Sequence, residues 1–312
     1  MRKTFVDTLT ELARVDHKVM CVIGDTGFSV FEEFEKEFKE RFVNVGIAEQ
    51  NFVSFGAGLA AMGMKPFLYN VVSFMTLRGM EQIVLDICYQ DNPVVMVGVG
   101  GGHAYGAAGP THHSYFDIGM MSMLPNMTVI CPADPVEMRE AIIQTYRLGK
   151  PAYIRIGRSV DPVIHQHPTD FQIGKAIKIQ EGTDGVLFAT GTMVKDGISA
   201  CNILKEYGIR LGLYSMHTIK PLDEETVLSC AKQKMPIFTL EEHSKKGGLG
   251  SMIGELLSEK GCYVDMFYKF GFPDMFAPVT GTREFLNKLY KIDPESVADK
   301  IKDLLKNKPI GM

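Results

Sequence analysis

No apolar run in this 312-residue sequence reaches the roughly 18 residues that a bilayer-spanning helix needs. Stretches such as 94–99 are too short, which argues against a membrane role. Lysine and arginine form no run and the formal net charge is -4, so there is no electrostatic case for nucleic acid. No C-x-x-C pair occurs. Cys21, Cys88, Cys131, Cys201, Cys230 and Cys262 stand far apart and read as small buried hydrophobes of a reducing cytoplasm, with no zinc site. The opening Met1-Arg2-Lys3-Thr4 leads into an amphipathic segment with Asp7 and Glu11, unlike a signal peptide. No G-x-x-x-x-G-K-[ST] is present, and the glycine-rich stretch from Gly98 does not fit G-x-G-x-x-G, so P-loop and dinucleotide readings fall away.

What is present is an ordinary globular composition, 46% hydrophobic and 22% charged, in a chain long enough for two cores. Apolar positions at helical spacing over residues 4–15 precede a short strand over 18–23. Strands are then expected at 41–45, 66–72, 93–99, 127–131 and 152–156, with helices at 28–38, 52–62, 78–90 and 135–148. Strands alternating with helices define an α/β domain with a mainly parallel sheet. Residues 158–169, rich in proline, histidine and aspartate, read as a linker. The alternation restarts beyond it, with strands at 186–190, 210–214, 236–241 and 263–267. The expected architecture is α/β with two domains, residues 1–165 and 166–312, each a mainly parallel sheet with helices on both faces.

In such sheets ligands bind beyond the carboxyl ends of the strands. Four of the loops there carry unusual residues: Asp25 with Ser29, Glu49, the loop 100–115 with His103, His112 and His113, and Arg158. Glu49 lies at a strand-to-helix junction among Ile47, Phe52 and Val53, where burial should raise its pKa and suit it to proton exchange. A carboxylate that complements a helix dipole is the other reading. The histidine loop is long for a simple connection. Without acid or cysteine partners, its histidines read as substrate-binding or acid/base groups rather than metal ligands. Arg155 and Arg158 suit a phosphate or carboxylate, or are solvated surface groups. Phe74 is a core residue or a ligand platform. Glu241-Glu242-His243-Ser244 before Gly247-Gly248 is an anion-binding turn or a close-packed junction.

The motifs Asn44 to Asn51, Arg78-Gly79-Met80-Glu81-Gln82, Gly109-Pro110-Thr111-His112, Pro125-Asn126-Met127, Pro132-Ala133-Asp134 and Lys220-Pro221-Leu222-Asp223 occur in an order and spacing that resemble one family over nearly the whole chain. The sequence is similar to the C-terminal section of transketolase, in particular of split transketolases in which that section is a separate subunit. This resemblance implies a pyrimidine-binding domain for thiamine diphosphate followed by the transketolase C-terminal domain. Glu49 matches the glutamate that hydrogen-bonds N1′ of the aminopyrimidine and drives it to the imino form. Phe74 matches the aromatic on the pyrimidine ring, and Arg78 and Asp25 are further expected cofactor contacts. His112 matches a catalytic histidine that touches substrate oxygens. Arg158, Arg2 and Ser29 match substrate-phosphate groups, and His103 is expected as a further substrate contact.

Two departures qualify the resemblance. Ala108 replaces the acid usual before Gly-Pro-Thr-His, and Val99-Gly100 replaces a Thr-His pair, although His103 is a candidate substitute. A site that loses such partners changes the hydroxyl pattern that it accepts, so a non-standard sugar is expected. The Gly-Asp-Gly…Asn motif for Mg²⁺ and the diphosphate is absent. The resemblance therefore implies an N-terminal transketolase subunit as partner, holding Mg²⁺ in an α2β2 assembly, and phosphorylated sugars as substrates. The alternatives are a β-subunit of a 2-oxoacid dehydrogenase and a non-catalytic scaffold subunit.

Overall fold

The structure is a computed structural model that describes residues 1–158 and 163–306. Two sheets organise it. The first contains β1 (Val19–Ile23), β2 (Phe42–Asn44), β3 (Lys65–Val71), β4 (Val95–Val99), β5 (Thr128–Ile130), β6 (Ala152–Ile156) and, from much later in the chain, β10 (Thr218–Lys220). The second contains β7 (Ile177–Gln180), β8 (Gly185–Ala189), β9 (Leu211–Ser215), β11 (Ile237–Ser244) and β12 (Phe267–Phe272). Helices cover both faces of each sheet, as the alternation of the sequence implies.

The first sheet runs β10-β5-β6-β4-β3-β1-β2, all parallel except β10, which pairs antiparallel with β5. That strand comes from the second half of the chain, so the first sheet borrows its edge from beyond the expected linker. Residues 159–162 of that linker lie outside the described residues. The second sheet runs β12-β11-β8-β9-β7, parallel except for β7 on its edge.

β1, β4, β6 and β8 are buried at every position. This is why they read as continuous apolar runs: helices cover both of their faces. Expected and observed bounds agree closely over β4, β6 and β8. Three segments differ. The helix expected over 28–38 forms only at Glu32–Glu37. The one expected over 78–90 is divided into Met80–Gln82 and a π-helical segment at Ile83–Tyr89, and a further helix that was not expected, Val72–Arg78, precedes it. The strand expected at 263–267 starts at Phe267 and runs to Phe272.

Adjacent strands β1 and β3 send their connections in opposite directions, to β2 and to β4. A crevice opens at such a point between the loops that leave the strand ends. Here those loops are 24–31 and the turn into Val72–Arg78. No helix among the described residues is long and apolar enough to cross a membrane. All six cysteines are free, and all but Cys262 are buried, in keeping with their reading as small hydrophobes.

Two buried histidines couple the fold to pH. Burial pushes the pKa of His103 and of His217 down to about 4, so both stay neutral in the folded protein. The unfolded chain protonates them below about pH 6.5. Their stabilisation is therefore complete above about pH 6.5 and is lost as pH falls toward 4, by up to about 3 kcal/mol each. His165 works in the opposite sense: although burial lowers its pKa, Glu137 raises it further, so its contribution is full below about pH 6.5 and fades above its raised value. Urea unfolding at pH 7.5 and pH 5 is expected to show a clear loss of stability at pH 5. A flat or rising profile would count against this account.

Candidate functional site

Glu49 opens the helix Glu49–Ala61 that follows β2, where a carboxylate complements the exposed backbone N–H groups. Its side chain is buried, and Arg78 Nη1 donates to Oε1 at 2.7 Å. The apolar pocket expected around it is only half present. Phe52 and Val53 are fully buried, but Ile47 is 75% exposed, and the arginine supplies a positive partner that the sequence does not reveal. That bond to Arg78 is the one described hydrogen bond of the Glu49 carboxylate, and it engages Oε1.

A row of contacts starts at that ion pair. Arg78 sits over the Phe74 ring at 4.6 Å from its centroid, one turn back on the helix Val72–Arg78. Phe74 meets the His112 imidazole edge-on at 4.9 Å. His112 lies 5.8 Å from the Tyr105 ring, over which the Arg158 guanidinium is placed at 4.5 Å. Arg2 lies within electrostatic reach of the Tyr69 and Tyr105 hydroxyls. Five expected site residues (Glu49, Phe74, Arg78, His112 and Arg158) thus form one continuous line, with Arg2 at its end. Tyr105, which joins two of them, is missed by the motifs of the sequence. An aromatic in an otherwise small-residue loop is the signal that could have found it.

Asp25 and Ser29 lie on the loop after β1. Asp25 accepts from Asn44 Nδ2 at 3.2 Å and its backbone N–H donates to Asn44 Oδ1, while Ser29 is exposed and its N–H donates to Glu32. Both have positive φ, 54° and 59°, a costly conformation for such residues that these side-chain bonds support. In the crevice beside them, Thr26 Oγ1 and Asn70 Nδ2 are buried and lack a hydrogen-bond partner. Buried polar atoms of this kind call for a bound group.

Two expectations are corrected. His103 does not face the crevice. It is fully buried, with Nδ1 3.1 Å from Asn287 Oδ1 and Nε2 2.8 Å from the Tyr115 hydroxyl, so it has no ring nitrogen left for substrate. Arg155 is buried too, donating from Nε to Asp117 Oδ2 at 2.8 Å and from Nη2 to the Glu242 carbonyl at 2.7 Å. Of the two readings of the turn after β11, the close-packed junction is the one seen: the Glu241 carboxylate accepts from the N–H groups of Leu249 and Gly250 and caps that helix itself. The second half also holds more convergent polar groups than its sequence suggests. Glu242 Oε1 accepts from the His103 N–H at 2.9 Å, and Glu242 is paired with Arg283. Burial raises the Glu242 carboxyl, but Arg283 foremost, then His103 and Arg155, outweigh it and hold the group below the usual range.

Gly56, Ala57, Gly58, Ala60 and Ala61 make much of the helix Glu49–Ala61 small-residued, and this slim surface divides in two. At Gly56 an added Cβ would lie 2.6 Å from Leu68, so that side packs within the chain, whereas Gly58 faces open space. Phe28 and Ile47, near the crevice, are strongly exposed. Among the described residues no group of three or more His, Cys, Asp or Glu is placed to hold a metal ion.

The crevice at the strand switch, the buried Glu49 carboxylate and the Phe74 ring near it all belong to the first sheet and its helices. Residues 1–161 match the family described as "Transketolase, pyrimidine binding domain", and residues 174–297 match "Transketolase, C-terminal domain". The chain belongs to the transketolase family. It is 38% identical over 298 residues to one subunit of an apulose-4-phosphate transketolase of Phocaeicola vulgatus, covering 95% of this chain and 94% of that one. It is 34% identical to a 6-deoxy-6-sulfo-D-fructose transketolase subunit of Clostridium sp., covering 95% and 92%. A 1-deoxy-D-xylulose-5-phosphate synthase of Natranaerobius thermophilus is 32% identical, but this chain spans only 49% of its length. Among solved structures, a split-gene transketolase described as an inactive β4 tetramer superimposes with a TM-score of 0.89 at 32% identity, covering 99% of both chains.

The Glu49–Arg78 pair sets a measurable coupling. Arg78→Ala leaves a buried carboxylate without its partner and is expected to destabilise the chain, whereas in a Glu49→Gln background the same change should cost less. The difference should be about 1 kcal/mol, kept small by the half-exposed arginine. A double-mutant cycle in urea checks it, and strict additivity would contradict the pairing.

Proposed function

We propose that this chain is the C-terminal subunit of a two-component transketolase, which moves a two-carbon ketol unit from a phosphorylated ketose to an aldehyde acceptor. The observation that carries this reading is the line from Glu49 through Arg78, Phe74 and His112 to Arg158: a buried acid at one end, cations for a phosphate at the other, and a histidine between. The residues present fit the aminopyrimidine end of thiamine diphosphate. Glu49 is a buried carboxylate with Oε1 tied to Arg78, which leaves Oε2 to meet the ring nitrogen, and Phe74 offers a ring for the pyrimidine to pack against.

When bound, thiamine diphosphate supplies the electron sink for cleaving the ketose carbon–carbon bond. The protein's part is to hold and place protons and charges. Glu49 would hydrogen-bond the aminopyrimidine ring nitrogen, and Arg78 and Asp25 would support the cofactor edge of the crevice. His112 addresses sugar oxygens. Arg158, Arg2 and Ser29 take the substrate phosphate. His103 is left out of that set, since both of its ring nitrogens are engaged in the interior.

Mg²⁺ and the diphosphate fall to an N-terminal-type partner subunit, in an α2β2 assembly working in the cytoplasm. Three points support this: no diphosphate motif occurs in the sequence, apolar Phe28 and Ile47 stand exposed near Glu49 and the crevice, and the solved split-gene relative is described as inactive in its β4 form. A non-standard sugar is supported by relatives whose names give apulose 4-phosphate and 6-deoxy-6-sulfo-D-fructose as their sugars.

Co-expression with the N-terminal subunit, followed by a donor and acceptor screen read by mass spectrometry, tests this function. Ketol transfer is expected from the pair and none from this chain alone with thiamine diphosphate and Mg²⁺; turnover by the lone chain would refute the division of labour. In the assembled enzyme, Arg158→Ala should raise KM for phosphorylated donors by about tenfold, the loss of a charge-assisted contact, while leaving KM for unphosphorylated donors unmoved. An equal rise for both donor types would remove Arg158 from the phosphate site.

A further inference from the structure

The loop that runs from Gly98 to Pro110 has almost no side chains with which to read a sugar. Its polar side chains are His103, sealed in the interior, and Tyr105. Ala107 and Ala108 are exposed and carry no hydrogen-bonding group. Whatever selectivity this wall of the crevice has must come from its backbone or from Tyr105.

Tyr105 is held in place by its surroundings. A Cβ added at Gly100 would lie 2.0 Å from Tyr105 Cε2 and 2.3 Å from Cδ2, so the ring lies directly against the bare backbone of Gly100. Gly100 has φ +88°, a conformation that other residues rarely adopt. Just after the tyrosine, a Cβ at Gly106 would lie 2.4 Å from the Gly281 carbonyl, so the second domain braces the loop from behind. The ring also packs on the apolar cluster beneath the crevice. Its front is in contact with two groups of the proposed site: Arg158 over its face at 4.5 Å, and His112 at 5.8 Å. Burial raises the phenol pKa against the pull of Arg158 and Arg2, which places both guanidiniums within electrostatic reach of the hydroxyl.

We propose that Tyr105 is the specificity-determining residue of this site: its pinned ring fills the room that a longer sugar would need beside His112 and Arg158, and selects short phosphorylated ketoses. The inference rests on the transketolase reading above and adds to it which dimension of the substrate is selected and by what. A rigid aromatic wall discriminates by size, because it can neither swing away nor offer a chain of hydrogen bonds to extra hydroxyls.

The test uses the assembled two-subunit enzyme and a donor series of tetrulose, pentulose, hexulose and heptulose phosphates, with kcat/KM measured for each. The wild type should favour the short end. Tyr105→Ala should move the ratio of long to short donors by about tenfold or more toward the long ones, the scale expected when a hydrophobic wall is removed. Tyr105→Leu, which keeps apolar packing with a smaller volume, should shift the ratio the same way and guards against a folding defect in the alanine variant. Tyr105→Phe, with the ring retained, should keep the wild-type order of preference. A wild-type preference for the long donors, or an unchanged order in both the alanine and leucine variants, overturns the proposal while leaving the ketol-transfer reading standing. A wild-type enzyme that transfers nothing from any donor overturns that reading itself, and this proposal with it.

Discussion

The buried carboxylate of Glu242 is the constraint on which the rest of this arrangement depends. It comes from β11 in the second sheet, yet it accepts from the backbone N–H of His103 in the long loop of the first domain. Arg283 neutralises it, and its own carbonyl receives Arg155 from β6. A charge taken out of water is tolerated only when its partners are complete, so the loop, β6 and the second domain are fixed together or not at all. A Cβ at Gly102 would lie 2.3 Å from Glu242 Cγ, which is why that segment of the loop is glycine. The second domain thus acts as a brace: it holds the back of a loop whose front, Tyr105 and His112, faces the crevice.

A second group of interactions works at the other end of the crevice. Glu49, Arg78 and Phe74 come from two helices of the first domain and reach each other through an ion pair and a cation–aromatic contact. Only part of Glu49's bonding capacity is used within the chain. Thr26 Oγ1 and Asn70 Nδ2 nearby are buried without a partner among the described residues, which leaves this edge with polar capacity to spare. The brace is complete among the described residues, whereas the crevice edge keeps buried polar atoms without partners, in keeping with the proposed second subunit.

The fold was largely legible in the sequence because its central strands are covered on both faces and therefore spell unbroken apolar runs, as at Val95–Val99 and Ala152–Ile156. β10 was not legible: three residues on an edge give no periodicity, and the strand joins a sheet formed far back in the chain. Glu49, Phe74, His112 and Arg158 could be placed because sheet topology sends the loops after parallel strands to one edge. His103 and Arg155 were misplaced for a physical reason. Sequence says that a histidine or arginine sits at a strand end, but not which way it points, and here both turn inward to partners far off in the chain, Asn287 and Glu242. Arg78 as the partner of Glu49 was equally hidden, since only tertiary packing brings positions 49 and 78 together.

The central claim is that Glu49 of this chain activates a thiamine diphosphate whose diphosphate another subunit holds. The most direct measurement is the rate of hydrogen–deuterium exchange at the thiazolium C2 of bound thiamine diphosphate, followed by NMR after acid quench, with either subunit alone, with both, and with both when this chain carries Glu49→Ala. Exchange far above that of free cofactor is predicted only in the wild-type mixture, with a return toward the free rate for Glu49→Ala while the cofactor stays bound. Exchange that remains fast with Glu49→Ala, or that is fast without this chain, would contradict it.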